Sequence, residues 1–137
     1  MKTYPYLRAY MAGITIPTIL LIFIMTVFTI ARYLYNVSFS IERIIVFPMA
    51  IVPNLWGLWN ILYIRLRRYR YLSIGFHGAL LAFVQVLIVL GITRLVNFEI
   101  PGVVTSAFPL GFPIVAILFY LVWKHAVAFF NAILGIE

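Results

Sequence analysis

Four long apolar stretches, broken at three places by basic or polar residues, leave this 137-residue chain few ways to fold. Its residues are 66% hydrophobic and only 9% charged. A water-soluble domain of this length cannot enclose so many apolar side chains, because its core is too small for its surface. Lipid is therefore the expected solvent. In lipid every backbone polar group must be satisfied within its own segment, which favours helices of about 20 residues crossing about 30 Å of hydrocarbon. The apolar runs are continuous and lack the alternation of a barrel. The sequence places the spans at approximately residues 9–31, 41–64, 71–94 and 105–131. The first run is too long for a signal-peptide core and is read as a retained span. The expected architecture is one all-α integral membrane domain over residues 1–137, with its four transmembrane helices in an up-down bundle.

The formal charge is +7, from ten Lys and Arg against three Asp and Glu. In a soluble chain that excess would suggest nucleic acid. Here the basic and aromatic residues flank apolar spans, so membrane topology accounts for them and no nucleic-acid partner is expected. Lys2, Arg8, Arg65, Arg67, Arg68, Arg70 and Lys124 fall on one side, and Arg32, Arg43 and Arg94 on the other. Seven against three places both termini in the cytoplasm, with the protein in the cytoplasmic (inner) membrane. Arg65, Arg67, Arg68 and Arg70 form a dense cluster suited to anionic lipid headgroups, at about 1 kcal/mol each near such a surface.

Reactive groups are scarce. The chain has no cysteine, which removes disulfides, thiolate metal sites and thiol catalysis. Its carboxylates are Glu42, Glu99 and Glu137, none of them at mid-span. Two histidines without cysteine make a poor zinc or di-iron set. Packing devices are more plentiful. Gly75 and Ala79 are four apart, as are Gly78 and Ala82, and Gln85 continues the row. This small-residue stripe, with Gly57 in span two, lets helices approach closely. The leading expectation is a non-enzymatic structural or accessory subunit, partnered by other membrane subunits or by copies of itself.

Two further readings rest on particular residues. Pro48 and Pro53 in span two lack amide hydrogens and release the carbonyls of Ile44 and Met49. With Asn54 and Asn60 they outline a transport path along a kinked helix. His77 lies seven residues inside Arg70, about 10 Å along a helix. Gly75 and Gly78 leave space beside it for a flat macrocycle, and His125 is a second ligand for haem or chlorophyll if the registry of span four allows. Pro101, Gly102, Ser106, Pro109, Gly111 and Pro113 shape the entry to that last span.

Overall fold

The computed structural model describes residues 4–36, 47–67, 72–95 and 102–136, all within or beside helices. Helix α1 runs Pro5–Tyr35. Proline opens it, where a missing amide hydrogen costs nothing. Asn36 closes it in the left-handed conformation (φ 49°). The helix outruns the expected 9–31 at both ends. Arg8 and Arg32 end the apolar run but do not interrupt backbone hydrogen bonding.

Helix α2 spans Phe47–Leu66 and continues through Pro53. The part of the second span expected at 41–46 lies outside the described residues. Helix α3 spans Ile74–Leu95. Just before it, the Ser73 hydroxyl accepts the Phe76 amide hydrogen at 3.3 Å, covering one of the helix's orphan donors. Helix α4 spans Gly102–Val122 and holds Pro109 and Pro113. It passes through a π-helical turn, Trp123–Val127, into helix α5, Ala128–Ile133.

Among the described residues, three segments are long and apolar enough to cross a membrane: Pro5–Tyr35, Ile74–Leu95 and Ser106–Ile133. Helix α2 is the remaining element of the four-span expectation, and the side chains of its first turn lie outside the described residues. Hydroxyl groups on the helices bond the backbone one turn back. Thr15 donates to the Met11 carbonyl at 2.7 Å, Thr26 to Ile22 at 2.9 Å, and Ser106 to Gly102 at 2.8 Å. Such bonds hide a hydroxyl from an apolar solvent.

The chain divides into two compact units. The first comprises residues up to Arg65 together with Phe130–Glu137, and the second Leu66–Phe129. In the first unit, contacts between α1 and α2 descend in one helix as they rise in the other. Ala9 meets Asn60, whereas Ile14 lies beside Gly57, as in an antiparallel pair. Ala9, Ala12 and Ile136 form its apolar centre, flanked by Ile61, Ile64, Phe130 and Leu134. In the second unit Gly75 meets Tyr120, while Phe83 packs edge-on against Phe112, so α3 and α4 also run antiparallel.

The π turn has a geometric consequence. A row of residues four apart drifts about 40° per step around an α-helix and about 33° the other way where a turn holds about 4.4 residues, so one π step followed by one α step nearly cancels. Trp123, Val127 and Asn131 are accordingly all buried. Helix α5 ends in a Schellman turn. Gly135 takes φ 63°, its amide donates to the Ala132 carbonyl, and the Ile136 amide donates to Asn131, each at 3.0 Å. Gly135→Ala is expected to cost about 1 kcal/mol, because an L side chain is strained there. Thermal unfolding in mild detergent checks this, with Ala132→Gly as the comparison.

Candidate functional site

Each unit is organised around one close helix approach. In the first unit Gly13 and Gly57 let α1 and α2 touch. A Cβ on Gly13 would lie 2.6 Å from the Trp56 carbonyl oxygen and 2.8 Å from the Gly57 Cα. One on Gly57 would meet the Tyr10 ring at 2.5 Å and Ile14 at 2.8 Å. Neither position has room for a methyl group.

Beside this crossing lies a buried carboxamide pair. Asn60 donates one Nδ2 hydrogen to the Ala9 carbonyl and the other to Asn131 Oδ1, both at 2.8 Å. Asn131 Nδ2 returns a bond to Asn60 Oδ1 at 3.2 Å. Both side chains are buried, Asn60 completely. A neutral amide carries both donors and an acceptor, so two of them can close a ring of hydrogen bonds without any ionised group. Arg8 Nη1 reaches the Leu134 carbonyl at 3.4 Å, a second tie between α1 and the C-terminal turn. On the outer surface the Tyr10 hydroxyl donates to Asn54 Oδ1.

The second unit is closed by aromatic rings on small residues. A Cβ on Gly78 would sit 2.5 Å from Cβ and Cγ of Trp123 and 2.6 Å from the Phe119 carbonyl oxygen. On Gly75 it would meet the Tyr120 ring at 2.7 Å. Trp123 and Leu81 are fully buried, and Ala82 nearly so. The small-residue stripe is thus partnered within the chain. Gly75, Gly78 and Ala82 are buried, with Ala79 and Gln85 half-buried at its margin.

The residues singled out for a transport path do not share one surface. Asn60 is sealed in the amide pair, whereas Asn54 is exposed. Pro53 is half-buried inside α2, and the side chain of Pro48 lies outside the described residues. For the macrocycle reading, His77 is buried on α3 and His125 is exposed on the π turn. The space beside Gly75 and Gly78 is filled by Tyr120 and Trp123. Arg65 and Arg67 are exposed, while Arg68 and Arg70 lie outside the described residues.

Sequence reasoning missed Asn131, Gly13 and Trp123 as packing residues. The first carried a signal: an amide within an apolar span needs a partner, and Asn60 was the matching group. No protein-family model matches the chain, and no curated protein or solved structure matches it either.

Proposed function

We propose that this protein is a non-enzymatic integral membrane subunit that crosses the bilayer four times, with both termini in the cytoplasm. It acts as a structural or accessory component of a membrane complex or homo-oligomer. One observation carries this reading. The apolar helices have large outward surfaces left over after each unit has packed, from Ile19, Ile22 and Phe23 on α1 to Leu110, Ile114 and Ile117 on α4. The polar groups at the centre of the first unit, meanwhile, are spent on holding helices together. Scaffolding needs that combination of fixed internal contacts and broad apolar flanks. The inside placement of Lys2, Arg8, the Arg65–Arg70 run and Lys124 follows the positive-inside rule. Anionic lipids at the same face are natural partners.

Protein purified in mild detergent tests the subunit role through its mass by light scattering. Assembly into particles larger than the 15.8 kDa chain, after subtraction of detergent, is the expected result. A lone monomer at all concentrations, with no companion in gentle extraction, contradicts it.

A further inference from the structure

We infer that Lys124 and His125 form a site for the headgroup of an anionic phospholipid. The proposal rests on the chain being membrane-embedded. Both residues belong to the π turn, and both are exposed while Trp123 before them and Val127 after them are completely buried. The turn therefore presents two neighbouring nitrogen-bearing side chains outward from a fixed base. Lys124 Nζ lies 5.7 Å from the centre of the Tyr120 ring, a cation–π contact that restrains the ammonium. Tyr120 itself packs on Gly75, in the first turn of α3, and Trp123 on Gly78. Lys124 and His125 are thus level with the first turns of α3, where that apolar span begins. Long basic side chains reach the interface from such positions.

Charge decides the occupant. The chain holds ten Lys and Arg against three acids, so it cannot neutralise itself and its countercharge must come from outside. A lipid phosphate offers one negative charge at the right depth and accepts hydrogen bonds from both an ammonium and an imidazole. A zwitterionic headgroup offers the same phosphate with a cancelling cation, and should bind less well.

The test uses the full chain in nanodiscs of equal phosphatidylglycerol and phosphatidylcholine, released into the gas phase so that retained lipids are weighed. Wild type should retain phosphatidylglycerol in preference. The double variant Lys124→Gln/His125→Gln should lose that retention by about fivefold or more, from the loss of about 1 kcal/mol per charge. Arg94→Gln, at the other end of α3, should leave it unchanged. Equal retention of both lipids by wild type, an unaltered double variant, or an equal loss in Arg94→Gln each overturns the site. Capture of an acidic protein from the membrane at Lys124 in place of lipid would overturn it too. Helicity by circular dichroism, measured in parallel, separates misfolding from loss of the site. Extraction of the wild type by detergent but not by buffer checks the membrane reading independently.

Discussion

Gly78→Val is expected to destabilise the protein by about 3 kcal/mol, the upper part of the range for forcing extra carbon into a packed interior. The reason is that one of the atoms a Cβ would strike, at 2.6 Å, is the backbone carbonyl of Phe119, which no rotamer change can move. Another is the Cβ of Trp123, at 2.5 Å, next to its own backbone. The helices must therefore separate along the α3–α4 crossing, and the dispersion contacts of a fully buried tryptophan are lost with them. In lipid no hydrophobic term compensates, since tails are as apolar as the interface they replace. Gly91→Val and Gly111→Val are suitable controls, because among the described residues a Cβ at either glycine meets nothing within 4 Å. Their effect should stay within about 0.5 kcal/mol. Thermal unfolding in detergent, followed through the near-ultraviolet signal of the three tryptophans and nine tyrosines, gives the comparison.

Asn60→Leu is the second large effect, at about 2 kcal/mol. Three hydrogen bonds disappear, and the amide of Asn131 is left buried beside an aliphatic side chain. Leaving a buried polar group unsatisfied costs about 1–3 kcal/mol. Interhelical bonds in membranes average about 0.6 kcal/mol, with a maximum near 1.7, because an unfolded chain in lipid also finds partners. The orphaned amide, more than the lost bonds, therefore sets the size. Asn60→Leu/Asn131→Leu should then be less destabilised than the sum of the two single variants, by about 1 kcal/mol. Additive behaviour in that cycle would show that the amides do not act as a pair.

Much of the helical framework was readable because lipid imposes a one-dimensional rule: a helix must be long and apolar enough to cross. That rule found α1, α3 and the final helix. It misjudged the ends of α1, since hydropathy falls at Arg8 and Arg32 while backbone bonding carries on to Tyr35. The spacing of Gly75, Gly78, Ala79, Ala82 and Gln85 marked a stripe of small residues on α3, of which Gly75, Gly78 and Ala82 are buried. Their partners were not legible, because nothing local to α3 specifies Tyr120 and Trp123 more than forty residues later. The π turn was equally hidden, as no residue type demands it. It is justified only by the inward row from Trp123 to Asn131. The Asn60–Asn131 pair spans 71 residues of sequence and emerges only when α5 is brought against α2.

The absence of cysteine makes single introduced thiols a clean measure of whether and how this chain crosses a bilayer. Three exposed positions suffice: Tyr33→Cys at the end of α1, Ile22→Cys at its middle, and Arg67→Cys just beyond α2. With a membrane-impermeant maleimide on intact cells, Tyr33→Cys should label, Arg67→Cys should label only after the cytoplasmic face is opened, and Ile22→Cys should stay unlabelled in both. Ready labelling of Ile22→Cys by the aqueous reagent, or labelling of Tyr33→Cys and Arg67→Cys from the same face, would contradict the account.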